Sequence, residues 1–187
     1  MRQAKLLALM IMLTLLTACS PTKNNTDKMA EIRTDFIAAE RIELTAAITA
    51  DYGARVYDFR VKYTGSSQSG KIEILAPESI AGITAEVDIS GITLSYDGAR
   101  METGRISGLS PAEAIPTLIA CWQQGIVKLL AEETLDSIDT LSMESDITET
   151  VRVKTWFDAN ALLPLRAEIS ENGKTVIQCE FENVIVE

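Results

Sequence analysis

Tyr57-Asp58-Phe59-Arg60-Val61-Lys62-Tyr63 is the stretch on which the fold turns. Apolar residues occupy every second position and charged residues the positions between. Side chains of an extended strand point alternately to opposite faces, so this pattern predicts a β-strand with one apolar, aromatic face and one charged face. Strands of that kind belong to an antiparallel sheet packed on one side only.

The same period runs outward in both directions. Upstream, across a turn at residues 51–53, Leu44, Ala46, Ile48 and Ala50 alternate with Thr45, Ala47 and Thr49. Downstream, a loop over Gly65–Gly70 leads to a strand Lys71–Leu75 that Pro77 ends. Ile83, Ala85, Val87 and Ile89 alternate next, and Gly91 turns the chain into Ile92, Leu94 and Tyr96. Asp97-Gly98 is a strong two-residue hairpin signal, with Ala99–Glu102 as the return strand.

Two segments break the pattern. Met29–Arg41 places Met29, Ile32, Phe36 and Ala39 near one face of a helix. Ser110-Pro111-Ala112-Glu113 reads as a capping box with proline at the first helical position, followed by Ile115, Leu118, Ile119 and Trp122 at helical spacing. Gly125 is expected to break this helix, and Ile126–Glu133 to form a further turn or two. From Leu135 strands resume. Ile147, Glu149, Val151, Val153 and Phe157 share a face, and Leu163–Ser170 and Lys174–Glu182 form a hairpin around Asn172-Gly173. The order is thus a helix, about six strands, a helical insertion and about four more strands. This predicts an α+β fold, a strongly curved antiparallel sheet shaped as a half-open barrel, with helices over its concave face.

The N-terminus carries a different message. Arg2 and Lys5 precede an uncharged apolar run, Leu6–Leu16, and Leu16-Thr17-Ala18-Cys19 resembles a bacterial lipobox. Small residues admit the bond before the cysteine to a membrane-embedded peptidase, and the Cys19 thiol takes the lipid. The run is shorter than the roughly 20 residues of a spanning helix and sits where a processed signal does. The expected organisation is a lipoprotein signal peptide (1–18), a lipidated tether (19–28) and one folded domain (29–187). The expected location is extracytoplasmic, anchored through acyl chains of the palmitate type to the cell membrane, or to the outer membrane where a cell has one.

Composition narrows the chemistry. The first eighteen residues hold two of the 17 basic residues and none of the 27 acidic ones, so the remainder carries −12 against −10 for the whole chain. Such an acidic chain without a basic cluster is a poor nucleic-acid binder, and attachment to a membrane falls to the lipid. Histidine is absent, which removes Ser-His and Cys-His triads and the commonest zinc ligand. No metal site, cofactor or catalytic residue is expected. Gly65-Ser66-Ser67-Gln68-Ser69-Gly70-Lys71 has the spacing of a phosphate-binding loop, but Ile72 replaces its hydroxyl residue and a strand, not a helix, follows. Asp136 with Asp139, or Glu132 with Glu133, are acids that spacing alone does not select as a catalytic pair. Cys121 and Cys179 either form a disulfide or pack as two buried thiols. The stripe Tyr57, Phe59, Val61 and Tyr63, with Trp122 on the helix, either packs as core or lines a cavity for lipid.

Trp156-Phe157-Asp158, then Leu163-Pro164, Glu168, Gly173 and Phe181-Glu182-Asn183-Val184 resemble the C-terminal end of the LolA/LolB-like lipoprotein-carrier superfamily. The aromatic strand, the hairpin at Asp97-Gly98 and the helical insertion follow the same order. That resemblance implies an eleven-stranded half-open barrel whose apolar concave face takes acyl chains. It also implies a non-enzymatic protein that binds a lipid or lipidated molecule. The alternative is an anchored protein-interaction module that assists an envelope or cell-wall enzyme, including a spore-related one. The lipid anchor at Cys19 sets this chain apart from the soluble carriers of the superfamily.

Overall fold

The computed structural model describes residues 24–66, 68–88, 91–104 and 109–187. The signal residues 1–18 and Cys19 lie outside the described residues, as do Ser67 and Ile89. Every element described below falls within 24–187.

Helix α1 (Asn25–Ala38) leads into six strands: β1 (Ile42–Asp51), β2 (Val56–Gly65), β3 (Gly70–Ala76), β4 (Thr84–Asp88), β5 (Gly91–Tyr96) and β6 (Ala99–Gly104). Helix α2 (Pro111–Gln124) follows, then β7 (Val127–Leu135), β8 (Ile138–Asp146), β9 (Val151–Asp158), β10 (Pro164–Glu171) and β11 (Lys174–Val186). All eleven strands join one sheet in the order β6-β5-β4-β3-β2-β1-β11-β10-β9-β8-β7. Neighbouring strands pair antiparallel throughout, and the first strand pairs with the last through partners such as Ala46–Phe181 and Ile48–Cys179. This is the α+β architecture expected, a single curved sheet that does not close on itself.

The strand order dictates where α2 must go. The chain leaves the sheet at one edge, β6, and re-enters at the opposite edge, β7. A connection between opposite edges of a curved sheet has to cross one face, and α2 crosses the concave one. Its residues Ile115, Leu118 and Trp122 are fully buried against the sheet. Trp122 is the centre of the core. Its ring lies 5.0 Å from Phe36 of α1, 5.8 Å from Phe157 and 5.6 Å from Phe181, the last two edge-on, and its Nε1 donates to Thr155 Oγ1 at 2.9 Å. The indole thereby buries its apolar body without leaving its N–H unpaired.

Several boundaries differ from the sequence reading. Helix α1 starts at Asn25, so residues 25–28 are helical and not tether. Asn24 is the reason: its side chain accepts from the Asp27 N–H at 2.9 Å and caps the helix. At α2, Ser110 sits at the cap position, but its hydroxyl does not accept from the helix backbone. The Glu113 N–H goes to the Ser110 carbonyl at 3.0 Å, and the hydroxyl donates to Glu113 Oε2 at 3.3 Å. Ile126–Glu133 is not helical. Gly125 ends α2, and all but its first residue form β7, paired with β8 from Val127–Ser145 to Leu135–Ile138. Leu, Ala and Glu are good helix formers, and here ladder pairing outweighs that weak preference. There are consequently five strands after α2, not about four.

The hairpin signals hold. Asp97 and Gly98 have φ of +47° and +80°, and Asn172 and Gly173 +51° and +79°, the left-handed pairs of a tight two-residue turn. Asp136 and Ser137 form a third such turn, at +50° and +71°. Gly65–Gly70 closes the β2–β3 hairpin and is followed by strand, not helix.

Candidate functional site

A cavity of about 780 Å³ lies between α2 and the concave face of the sheet. This is within the range of sites that hold small ligands, roughly 300–1,000 Å³. Its existence follows from the two faces of α2. The face with Ile115, Leu118 and Trp122 is large and fills the core. The adjoining face, with Ala114, Thr117 and Ala120, is small and leaves room beneath it; Ile119 borders both. Across the gap the sheet contributes Tyr63 from β2, Val87 from β4, Ile92 from β5, Val151 from β9, Ile169 from β10 and Val176 from β11. The walls are therefore aliphatic over most of their area.

The ends of the cavity are polar. Ser66, Gln68 and Ser69 come from the β2–β3 loop, Asp88 from the end of β4, Ser110 and Glu113 from the start of α2, Thr148 from the β8–β9 turn and Glu171 from the end of β10. Tyr52, in the β1–β2 turn, also borders the space, and its hydroxyl donates to the Leu109 carbonyl at 2.8 Å. That bond ties the turn to the segment entering α2. At the other end of α2, Arg33 of α1 donates from Nη2 to the Gly125 carbonyl, and Gln123 Nε2 donates to the Phe36 carbonyl at 2.9 Å. The helix that roofs the cavity is thus held at both ends.

The aromatic stripe is only partly here. Tyr63 borders the cavity. Val61 and Trp122 are buried in core contacts away from it, Phe59 is half-buried against the core, and Tyr57 is exposed. The expected lining by Tyr57, Phe59, Val61 and Trp122 is corrected accordingly. Along β2, Tyr63 borders the cavity, Val61 is core, and Phe59 and then Tyr57 are progressively more exposed. Tyr57 instead makes tilted ring contacts with Tyr52 and Phe59, at ring separations of 6.2 and 6.4 Å.

The cysteines take the second of their two readings. Both thiols are free and buried, Cys121 on α2 and Cys179 on β11. Burial pushes the Cys121 thiol up to about 11 and Cys179 up to about 12. The two acid pairs considered from sequence do not form sites. Asp136 belongs to the tight turn and pairs with Arg166 at 3.5 Å. Neighbours Glu132 and Glu133 point to opposite faces of β7. On the outer face of the sheet Glu133 accepts from Lys154 Nζ at 2.8 Å, Trp156 Nε1 at 2.7 Å and Ser142 Oγ at 2.8 Å. Lys154 in turn lies 4.6 Å over the Trp156 ring. Hydrogen bonds from Lys154 first, then Trp156, hold the Glu133 carboxyl below the usual carboxylate range. Its lone pairs are committed to neighbours, which is the role of a structural anion.

Helix α2 contributes the wall that the sequence reading missed. Ala114, Thr117 and Ala120 recur every third residue beside the large apolar face, and that stripe of small residues is the signal that was available.

Among the described residues no helix is long and apolar enough to cross a membrane. No family model and no curated protein matches the sequence. Solved structures do match. The chain is similar to a DUF1329 family protein from Desulfovibrio piger, with 15% identity over 90% of this chain and 94% of that one, at a TM-score of 0.54. It is similar to a conserved protein from Thermus thermophilus (9% identity, 88% of each chain, TM-score 0.55). It is also similar to a domain assigned to outer-membrane lipoprotein sorting from Vibrio parahaemolyticus (11% identity, 88% of this chain and 94% of that one, TM-score 0.52). At these identities the likeness shows the fold, a half-open antiparallel barrel roofed by helices. The fold is thus shared with proteins that include a lipoprotein-sorting domain.

Proposed function

We propose that this chain is a membrane-anchored extracytoplasmic lipoprotein, attached through Cys19, that binds a lipid or lipidated molecule in its half-barrel and catalyses no reaction. The observation that carries the reading is the aliphatic, half-open cavity between the small-residue face of α2 and the sheet, bordered by polar groups. An apolar space with polar groups gathered at its margins fits an amphiphile, its chain inside and its head at the lip. Each buried methylene contributes about 0.8 kcal/mol, so a chain of ten gives roughly 8 kcal/mol gross before the cost of immobilisation. The lipobox at Leu16–Cys19 supports placing the domain beside a membrane, where such ligands are found. The fold shared with a lipoprotein-sorting domain of Vibrio parahaemolyticus is compatible with it.

The test is native mass spectrometry of the chain from Ser20 onward, purified without detergent, with extraction and identification of whatever copurifies. A stoichiometric acyl lipid is the expected result. An empty protein that also refuses added fatty acid, acylglycerol and phospholipid overturns the reading and favours the protein-interaction module.

A further inference from the structure

Exposed apolar side chains gather at one end of the half-barrel, where contacts between separate turns hold the margin together. Lys174, at the start of β11, lies 3.4 Å from Asp51 at the end of β1, and its Nζ is 3.7 Å from where a Cβ on Gly53 would sit. The Asn172 N–H of the β10–β11 turn donates to the Thr150 carbonyl of the β8–β9 turn at 2.8 Å. At this same end β7 begins, with Val127 paired to Ser145 and Lys128 3.6 Å from Asp146. Along the margin Tyr52, Val56, Tyr57, Ile126 and Ile147 are all exposed, and Ile126, at 71%, is the most exposed large apolar residue described. Tyr52 and Ile147 also border the cavity. Resting on the reading that Cys19 carries a lipid, we infer that this end of the barrel lies on the anchoring membrane. Its apolar side chains enter the bilayer interface, and an acyl chain passes between bilayer and cavity beside Tyr52 and Ile147.

Three observations favour a bilayer as the occupant. The first is the reach of the anchor. Cys19 precedes the cap residue Asn24 by five positions, at most about 18 Å of extended chain. On α1, Arg33 donates to the Gly125 carbonyl, and three residues later the Phe36 carbonyl accepts from Gln123. Moving toward the start of α1 therefore moves along α2 toward Ile126 and the start of β7, which puts the anchored end of the helix on the side of the apolar margin. The second is charge. The chain as a whole carries −10, yet residues 51–57, 126–128, 146–152 and 171–174 hold Arg55, Lys128, Arg152 and Lys174 against Asp51, Asp146, Glu149 and Glu171. This end is neutral, so an anionic lipid surface does not repel it as it repels the rest of the domain. The third is side-chain chemistry. A tyrosine, with an apolar ring and a hydroxyl tip, suits the headgroup boundary. Tyr52 and Tyr57 are in ring contact at 6.2 Å, and Arg55 Nη1 donates to the Tyr57 hydroxyl at 3.4 Å, which sets a cation at headgroup level.

The experiment uses the full lipoprotein, purified from bacterial membranes, with mass spectrometry to identify the lipid at Cys19. The variants Val56→Cys and Ile147→Cys carry an environment-sensitive dye at the apolar end, and Ile138→Cys carries it at the opposite end of β8, while the buried Cys121 and Cys179 stay unlabelled. Each is reconstituted into vesicles of phosphatidylethanolamine and phosphatidylglycerol, with and without lipid bearing a doxyl quencher near the glycerol end of its chain. Apolar faces at an interface sit about 5–10 Å deep, so the dyes at positions 56 and 147 should shift to the blue and lose at least about half their emission, and the dye at 138 less than about a tenth. A thermal melt checks each variant, and either site at the apolar end decides alone if the other variant does not fold. A chain that floats with the vesicles but is quenched at no site, or at 138 only, overturns the orientation and leaves the anchor intact. A blue shift at 56 and 147 without quenching means that protein, such as a second copy, covers this end, and overturns it as well. A chain without lipid at Cys19, or one that does not float, overturns the anchored reading itself.

Discussion

The ring of Tyr63 rests directly on the Cα of Gly70, so closely that a Cβ built at Gly70 would overlap the ring and its hydroxyl. The two residues are diagonal neighbours across the β2–β3 hairpin, where Gly65 pairs with Gly70 and Tyr63 with Ile72. The glycines of this loop therefore exist for the tyrosine, which needs a bare backbone beneath it to turn its ring toward the cavity. Gly70→Ala is expected to destabilise the domain by about 1–3 kcal/mol, the usual cost of overpacking. Chemical denaturation reads that loss. Tyr63→Phe keeps the ring and loses only a long 3.4 Å hydrogen bond to the Ser66 carbonyl, so it should cost well under half as much. Equal losses from both variants would mean that the hydroxyl, not the fit over Gly70, matters.

Glu133 makes stability depend on acid. Its folded-state carboxyl is held below the ordinary range, first by the hydrogen bond from Lys154 and then by that from Trp156. A carboxyl whose pKa is lower in the folded state adds stability above its unfolded value, about 4.3, and loses it as pH falls through the folded value. Stability measured by urea melts from pH 6 down to pH 3 should thus fall less steeply in Glu133→Gln than in the unaltered chain. At pH 6 the variant should be the less stable of the two, and the difference should shrink toward pH 3. A constant difference across that range would show that the ionised form contributes nothing.

Cys121 and Cys179 predict a chemical silence. With both thiols buried and pushed up to about 11 and about 12, almost no thiolate is present at neutral pH, and the thiolate is the reactive species. In the chain from Ser20 onward, a disulfide-exchange reagent at pH 7.5 should modify neither residue in the folded protein. It should titrate two thiols once the chain is unfolded in denaturant without reductant. Cys121, at 8% exposure against none for Cys179, should be the first to react as denaturant is raised toward the transition. Finding no titratable thiol in the unfolded, unreduced chain would instead reveal a disulfide.

What the sequence made readable and what it hid have physical reasons. Period-two alternation marks a half-buried strand wherever one face is wet, so β1 and β2 could be read residue by residue. Asp97-Gly98 and Asn172-Gly173 announce tight turns because glycine enters the left-handed region without strain. Asp136-Ser137 adopts the same turn without that mark, since serine there carries no comparable signal. β7 was misread because Leu129, Leu130, Ala131 and Glu132 favour a helix locally, and only their pairing with β8 makes them a strand. The cavity was the least readable feature. Whether the concave face is filled depends on how the small face of α2 stands over strand residues as far away in sequence as Val176, a distance no local pattern spans. The aromatic stripe pointed to the correct face of the sheet but, apart from Tyr63, to the wrong part of it.

Ala120 and Trp122 lie two positions apart on α2 and separate the two jobs of that helix. Trp122 is fully buried among Phe36, Phe157 and Phe181, so Trp122→Ala should cost about 3–5 kcal/mol and leave the Thr155 hydroxyl without its partner. Ala120 borders the cavity and is exposed within it. Ala120→Trp should place a ring in the space an acyl chain would occupy, with little change in stability because no core neighbour has to move. Paired measurements check this: a thermal melt for stability, and uptake of monopalmitoylglycerol for the cavity. The expected pattern is a lowered melting temperature for Trp122→Ala, and for Ala120→Trp a melt near that of the unaltered chain with uptake reduced at least about tenfold, the loss that roughly 1.4 kcal/mol of binding produces. If Ala120→Trp folds normally and takes up the lipid unchanged, the ligand lies outside the cavity beneath α2 and the proposed site is wrong.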